Sequence, residues 1–362
     1  MSAVGATVMI TTGGSGGHVF PGLAVARKLA ALGARVFWLG TREGIESRLV
    51  PQHGVDFESV SFRGVRGKGL KTLLLGPFAL AAACVDGARV LKRRKPDVVI
   101  GFGGFASFPG ALMGVATRRP LVLHEANAVA GLANRILAFG ADRILVGFPD
   151  AFRGRHRDIT EFTGNPLRDE IVATAAPQQR FAGRQGPLRL LVVGGSLGAQ
   201  ALNDTVPAAI ATIDAAARPQ VVHQSGARHI DALAAAYARH GVDVECVAFI
   251  DDMAARYAWA DFVICRGGAL TVAELAAVGL GALIVPLPGA IADEQTANAE
   301  YLVKAGAAMC IAQDGLDAAR LGALLAKMTR EHALAMAIDA RRVGRGDAAA
   351  RIAGICLEMS AR

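Results

Sequence analysis

Short, unbroken apolar runs separated by amphipathic stretches organise this chain. Thr7-Val-Met-Ile-Thr11 leads into Gly13-Gly14, and a helical pattern follows from Pro21 to Leu32. Arg35-Val-Phe-Trp-Leu39, Asp97-Val-Val-Ile100, Pro120-Leu-Val-Leu-His124 and Arg143-Ile-Leu-Val146 repeat the theme. Apolar runs of this length without polar alternation mark strands covered on both faces, and helices between them make the sheet parallel. The pattern then restarts. Leu188-Arg-Leu-Leu-Val-Val193 meets Gly194-Gly195-Ser196 just as the first strand meets Gly13-Gly14-Ser15, and further strands are predicted at Gln220-Val-Val-His223, Asp261-Phe-Val-Ile264 and Ala282-Leu-Ile-Val285. Between the halves, residues 173–187 are rich in Ala, Gln, Gly and Pro, as a linker is. The expectation is two doubly wound α/β domains, with ligands beyond the carboxyl ends of the strands. A length of 362 residues agrees with two domains.

Two apolar stretches are candidates for membrane spans. Leu73 to Val85 is too short and carries Gly76-Pro77, which is expected to interrupt it. Leu275 to Ala292 is uncharged, but Pro286, Pro288 and several Gly divide it into helix, strand and turn. With 52% hydrophobic residues and 43 Gly in no G-X-Y period, the chain is neither disordered nor collagen-like. The first basic residue is Arg27, so the start lacks the charged region of a signal peptide. Five widely spaced cysteines (Cys84, Cys246, Cys265, Cys310, Cys356) form no C-x-x-C pair, which fits a reducing cytoplasm. Charge is lopsided: residues 1–165 hold 21 Lys and Arg against 11 Asp and Glu, whereas the remainder is slightly acidic. A basic first half suits an anionic partner or simply keeps an apolar protein in solution.

Three glycine loops follow predicted strands: Gly13-Gly14-Ser15-Gly16-Gly17-His18, Gly101-Phe-Gly103-Gly104-Phe-Ala-Ser107 and Gly194-Gly195-Ser196-Leu-Gly198-Ala199. Glycine lets backbone approach a phosphate, and the next helix offers unpaired N–H groups with a partial positive charge. A tight strand–helix turn also needs glycine without any ligand, but three such loops favour a phosphate or diphosphate. No G-x-x-x-x-G-K-[ST] occurs, and the loose dinucleotide fingerprint Gly101-x-Gly103-x-x-Ala106 sits in mid-domain, where it does not belong. No H-E-x-x-H and no His, Asp and Glu cluster at ligand spacing is present, so neither a metal nor another cofactor is expected. A further segment, Cys265-Arg266-Gly267-Gly268-Ala269-Leu270-Thr271-Val272-Ala273-Glu274, runs from a strand into a helix. Glu274 shares a face with Thr271 and is expected in the first turn, either as a capping-box carboxylate or as acceptor for two sugar hydroxyls. Asp293-Glu294-Gln295 follows a strand, Pro and Gly, a position typical of ligand loops.

The three loops, together with His124-Glu-Ala-Asn127, Thr163-Gly-Asn-Pro166 and Arg266-Gly-Gly-Ala-Leu-Thr-Val-Ala-Glu274, occur in the same order as in one family. Over nearly the whole chain they closely resemble the bacterial cell-wall N-acetylglucosaminyltransferases that convert lipid I into lipid II. The resemblance implies a GT-B fold, two Rossmann-like doubly wound domains facing a cleft. It further implies domains at 1–167 for acceptor and membrane, 168–344 for UDP-N-acetylglucosamine, and a last helix within 345–362 packing back on the first domain. In that likeness the Ile250 backbone contacts uracil and Glu274 takes the ribose hydroxyls. Ser196, Arg168 and the helix start at Ala269, Leu270 and Thr271 hold the diphosphate, Val272 and Ala273 belong to the same UDP-N-acetylglucosamine site, and Arg266 lies beside the nucleotide. Asn127 and Gln295 bind the N-acetylglucosamine, and Ser15, Gly16 and Gly17 close over it. Gly267 and Gly268, where the family often has Ser, and Glu294, where it can have Gln, are departures from its pattern.

An inverting transfer needs a base for the acceptor hydroxyl and positive field at the departing phosphate, which helix N-termini and Arg168 would supply. His18, at a helix start with a pKa near neutrality, is the first candidate base, and Glu125 is its rival. Gly103, Gly104 and Ser107 are the expected seat of the acceptor diphosphate. Arg63, Arg66, Lys68 and Lys71 precede Leu73-Leu-Leu-Gly-Pro-Phe-Ala-Leu80, a pattern that fits either an anionic membrane surface or a solvated loop before a buried helix, and Lys92-Arg-Arg-Lys95 adds charge. The implied partners are the nucleotide sugar, undecaprenyl-diphosphate-linked lipid I and the cytoplasmic face of the inner membrane. Another UDP-sugar transferase, a UDP-N-acetylglucosamine epimerase and an NAD enzyme are the competing readings. A nucleic-acid module is disfavoured, because the basic half lacks interleaved aromatics.

Overall fold

The computed structural model describes residues 5–62, 69–195, 197–290 and 293–361, the side chains of 69–75 apart. The chain divides into two compact units, Met1–Arg168 with Gly346–Arg362, and Asp169–Arg345. The first unit holds strands β1 (Thr7–Thr11), β2 (Arg35–Thr41), β3 (Asp56–Val60), β4 (Val98–Gly101), β5 (Leu121–Glu125), β6 (Arg143–Val146) and β7 (Thr160–Phe162), in the order β3-β2-β1-β4-β5-β6-β7. The second holds β8 (Arg189–Val193), β9 (Gln220–Gln224), β10 (Glu245–Val247), β11 (Phe262–Cys265), β12 (Gly281–Ile284) and β13 (Ala308–Cys310), ordered β10-β9-β8-β11-β12-β13. Every described pairing is parallel.

The strand order of each sheet reverses beside its first strand, between β1 and β4 and between β8 and β11. There the connections leave on opposite faces, and a ligand crevice opens beyond the strand ends. The glycine loops after β1, β4 and β8 and the Arg266 segment after β11 all lie at these two switch points. The nine strands predicted from apolar runs are present. The four additional ones, β3, β7, β10 and β13, are the four outer strands of the two sheets. Their sequences, such as Asp56-Phe-Glu-Ser-Val60 and Thr160-Glu-Phe162, are largely half-buried or exposed, so they lack the apolar run that a doubly covered strand shows.

Apolar residues from both faces of each sheet form the cores. One side of the first unit packs Val8, Ile10, Trp38 and Ile100 against Val19, Leu23 and Leu29 of the helix Gly16–Ala31. The same cluster includes Ile352, Ile355, Cys356 and Met359 from the final helix Ala348–Ser360, so the end of the chain completes the core begun by its start.

Two expectations need correction. Gly76-Pro77 does not interrupt its segment: one helix runs from Gly69 to Arg94. Nor are residues 173–187 a linker. They contain the helix Pro177–Phe181, and Arg180, buried within the second unit, donates to the carbonyls of Ala175, Tyr257, Val278 and Gly279. Arg184 binds Asp261 and three carbonyls from Ala258 to Ala260, which explains how a loop-like composition packs tightly. Among the described residues no helix is long and apolar enough to cross a membrane.

Candidate active site

Within the second unit, Val193, Gly195, Gln224, Phe249, Ile250, Met253, Tyr257, Thr271 and Glu274 line a cavity of about 150 Å³. This is below the roughly 300–1,000 Å³ of a pocket that encloses a whole drug-sized ligand. Ile250, Thr271 and Glu274 are the sequence-predicted residues brought together here. Glu274 lies in the second turn of the helix Ala269–Val278, whose N-cap is Gly268. It is therefore not in the first turn and is too far along to be a capping-box residue, which would sit at Thr271. Instead its carboxylate lines the cavity and accepts the Tyr257 hydroxyl at 3.0 Å. Gln224, at the carboxyl end of β9, donates to the Gly195 carbonyl at 2.8 Å and so holds the glycine loop after β8. Gly195 has φ +85° and faces open space, where a backbone can be approached. Ser196 lies outside the described residues.

At the same helix start, only the first N–H groups are open to a ligand. The Val272 N–H donates to the Gly268 carbonyl at 3.0 Å, and its side chain is fully buried. The Val272 N–H is thus committed inside the helix, and the open N–H groups of the helix start are those of Ala269, Leu270 and Thr271. Arg266 does not line the cavity. Its guanidinium donates to the Val285 and Pro286 carbonyls at 3.0 and 3.2 Å and to Gln313 Oε1 at 2.7 Å, bracing the loop after β12. The Gln295 side-chain oxygen accepts N–H groups of Gly267 and Leu287 at 3.2 and 2.9 Å, so this side chain ties the two loops and directs its amide N–H₂ end elsewhere. A Cβ at Gly267 would collide with the Gln295 backbone, the reason glycine stands there.

In the first unit, Ser15 is the N-cap of the helix Gly16–Ala31 and makes no side-chain cap hydrogen bond. Gly17 meets nothing but the Ser15 hydroxyl, so the fold itself does not demand its missing side chain. Gly14 differs: its N–H donates at 3.2 Å to Glu46, a fully buried carboxylate. The first loop is thus partly filled from inside and is a poorer phosphate cradle than its glycines imply. Gly103 and Gly104 both have φ +77°, and a Cβ on Gly104 would fall 2.6 Å from the Gly13 carbonyl oxygen, so the two loops touch. Ser107 is fully buried and its hydroxyl donates to the Gly104 carbonyl at 2.9 Å. It therefore supports the loop from within.

His18 stands beside Gly103, and its Nδ1 is enclosed with no hydrogen-bond partner among the described residues. Burial pushes its pKa below the ordinary value of 6.5, with the Phe102 backbone opposing. The imidazole is therefore neutral near pH 7 and able to accept a proton. His124, fully buried, is pushed down to about 4 chiefly by burial. Glu125 is also buried, and burial raises its pKa. Its Oε1 accepts the Asn127 N–H at 2.9 Å and the Asn127 side chain at 3.5 Å, while Oε2 accepts Gly131 N–H and Asn134 Nδ2, each at 3.0 Å. With both oxygens engaged by N–H donors, Glu125 anchors the segment from Asn127 to Asn134. Arg168 is half-buried and is the last residue of the first unit's leading segment.

The basic segment ahead of the helix Gly69–Arg94 is only partly accessible to description: Arg63, Arg66 and Lys68, and the side chain of Lys71, lie outside the described residues. At the other end, Arg93 pairs with Glu58 at 2.7 Å and Arg94 with Asp56 at 2.6 Å, which ties part of the Lys92–Lys95 cluster to β3.

Comparison with known proteins accounts for this arrangement. Residues 8–146 match the glycosyltransferase family 28 N-terminal domain and residues 189–352 its C-terminal domain. A Burkholderia thailandensis protein named UDP-N-acetylglucosamine--N-acetylmuramyl-(pentapeptide) pyrophosphoryl-undecaprenol N-acetylglucosamine transferase is 52% identical over 360 residues, covering 98% of this chain and 97% of that protein. The crystal structure of Acinetobacter baumannii MurG superposes with a TM-score of 0.84 at 34% identity, over 98% of this chain and 99% of that one. A UDP-N-acetylglucosamine 2-epimerase superposes with a TM-score of 0.64 at 16% identity, over 96% of this chain and 94% of that one, a likeness of fold alone. The fold is GT-B, with two Rossmann-like domains. With both domain models matched in order and near-complete coverage of relatives, the chain belongs to glycosyltransferase family 28.

Proposed function

We propose that the chain transfers N-acetylglucosamine from its UDP donor to the 4-hydroxyl of the N-acetylmuramoyl group of lipid I, giving β(1→4)-linked lipid II for peptidoglycan. The observation that carries this is 52% identity to a transferase of that name along almost the whole of both chains. The cavity of the second unit supports it, since a recess with a carboxylate fixed on its wall suits a nucleoside. In this reading Glu274 accepts the ribose hydroxyls, the Ile250 backbone meets the base, and the N–H groups of Ala269–Thr271 with Arg168 face the diphosphate. Gln295 and Asn127 offer amide groups to the N-acetylglucosamine.

In an inverting transfer the acceptor oxygen attacks the anomeric carbon opposite the leaving group. The acceptor hydroxyl gives its proton to a base as the bond to the β-phosphate oxygen breaks, and charge collects on departing UDP. A neutral His18 suits the base, because its burial disfavours charge before the reaction and leaves a nitrogen lone pair. Glu125, with both oxygens occupied, suits a positioning role. The helix N-terminus and Arg168 supply positive potential where charge develops. Gly103 and Gly104 present backbone to the acceptor diphosphate.

The lipid acceptor requires a membrane-facing surface, and we assign it to the first unit, peripheral on the cytoplasmic face of the inner membrane. Phe78 is 74% exposed on the helix Gly69–Arg94, and Leu132 and Phe139 are 71% and 82% exposed nearby in sequence to Ile136, large apolar side chains left in solvent.

The test is transfer of radiolabelled N-acetylglucosamine to a lipid I analogue by wild type, His18→Ala and Glu125→Gln. Lipid-linked label is expected from wild type, with His18→Ala slowed at least a hundredfold. Absence of label from folded, UDP-binding protein would refute the acceptor, and a His18→Ala variant as fast as wild type would refute the base.

A further inference from the structure

Glu46 belongs to no motif and has no part in the chemistry above, yet it is fully buried beneath the first glycine loop. It opens the helix Glu46–Gln52, just after β2. Its Oε1 accepts the Thr41 N–H at 2.9 Å and the Thr41 hydroxyl at 2.7 Å, and its Oε2 accepts the Gly14 N–H at 3.2 Å. Three glycines make room for it. A Cβ at Gly13 or Gly44 would overlap the carboxylate, and one at Gly40 would fall 2.7 Å from its Cγ. Gly13 is thus required by a carboxylate of the protein itself.

We infer that Glu46 is a positioning residue for the transfer: it fixes Gly14, and through Gly14 the presentation of Ser15–His18. Gly14 has φ +99°, a conformation that glycine reaches at little cost but does not hold unless something secures it. The Glu46 carboxylate supplies the restraint from inside the fold. One peptide further on begins the helix that carries His18, and the Gly13 carbonyl is packed against Gly104. A shift at Gly14 therefore moves His18 relative to Gly103 and Gly104, and displacement of a reacting group by an ångström costs rate far more than it costs binding elsewhere. The inference rests on the reading that the first loop serves the transfer.

The carboxylate's two oxygens have separable duties, which permits a clean test. Glu46→Gln keeps an oxygen for Thr41 but turns an N–H₂ toward the Gly14 N–H, breaking the loop contact alone. Thr41→Val removes one hydrogen bond from the opposite side and leaves the Gly14 contact intact. Steady-state transfer should show kcat reduced at least tenfold in Glu46→Gln, with KM for the nucleotide sugar within twofold of wild type. Thr41→Val should keep kcat within twofold even where its melting temperature falls. Amide hydrogen exchange should be slow at Gly14 in wild type and fast in Glu46→Gln. If Glu46→Gln does not fold, Glu46→Asp, which retracts the carboxylate from Gly14, is expected to show the same kcat loss. Wild-type kcat in the Glu46 variant, or equal losses in it and Thr41→Val, would overturn the inference. If His18→Ala were fully active while Glu46→Gln was slow, the base assignment would fall and the positioning role would stand.

Discussion

At the scale of single residues, the cavity of the second unit makes the sharpest demands. Glu274 is held by the Tyr257 hydroxyl, and Tyr257 is 1% exposed, so it cannot turn away to solvent. Removing that bond in Tyr257→Phe weakens the hold on the carboxylate. A hydrogen bond to a charged group is worth about 1.5–3 kcal/mol. UDP affinity measured by calorimetry should therefore drop about tenfold or more, with a larger loss in Glu274→Ala; unchanged affinity in both would remove Glu274 from the nucleotide site. His18 gives the second prediction. As the base must be neutral, kcat/KM should fall with acid through a midpoint below 6.5, and the variant lacking the imidazole should lose that limb. Glu274 and Thr271 could be singled out from their spacing beyond a strand end, whereas Ile250 was singled out by the family resemblance alone. Tyr257 and Gln224 were not, since each acts across a tertiary contact, from another helix or strand, that no local pattern records. The glycines misled in an instructive way: Gly13 answers to Glu46 and Gly267 to Gln295, so the same letter marks internal packing and open approach alike.

Among the elements, the strands most easily read are those buried on both faces, because burial alone writes their apolar runs. The outer strands β3, β7, β10 and β13 escaped notice for the converse reason, their side chains being half in water. The segment 173–187 escaped because arginine, usually a surface residue, does its packing. Asp261 is fully buried and takes both Arg184 and Arg330, the latter at 3.2 Å. Asp261→Asn would leave two guanidinium groups poorly compensated. A cost of about 3–5 kcal/mol is expected on denaturant unfolding of the second unit; a variant within 1 kcal/mol, about the scatter of a surface change, would show the pair to be dispensable. In the first unit, Ile352→Ala in the final helix removes a side chain with no exposure and should cost about 2–5 kcal/mol, read from the same experiment.

For the whole molecule, acid should act on both units through histidines that no reaction uses. His124 is held at about 4 and His223 at about 3, both principally by burial. Folded, they stay neutral while the unfolded chain takes up protons below 6.5. Their contribution is therefore complete above that pH and is lost as pH falls, by about 1.4 kcal/mol per unit for each, until the folded value is reached. Melting at pH 7 and pH 5 should show both transitions falling. His223→Gln should flatten the second unit's response, and an unaltered pH slope in that variant would clear His223 of the role. The division of the chain has a further consequence, which concerns its birth. The first unit leaves the ribosome first, but its core lacks Ile352, Ile355, Cys356 and Met359 until the last residues are made. At roughly 5–20 residues per second it must wait about ten to forty seconds, with an apolar stripe of the helix Gly16–Ala31 uncovered. The second unit, contiguous in sequence, needs no residues from a distant part of the chain. The first unit therefore cannot close before its final helix is made, and a released chain truncated just short of Gly346 should display a protease-resistant second unit beside a sensitive first one.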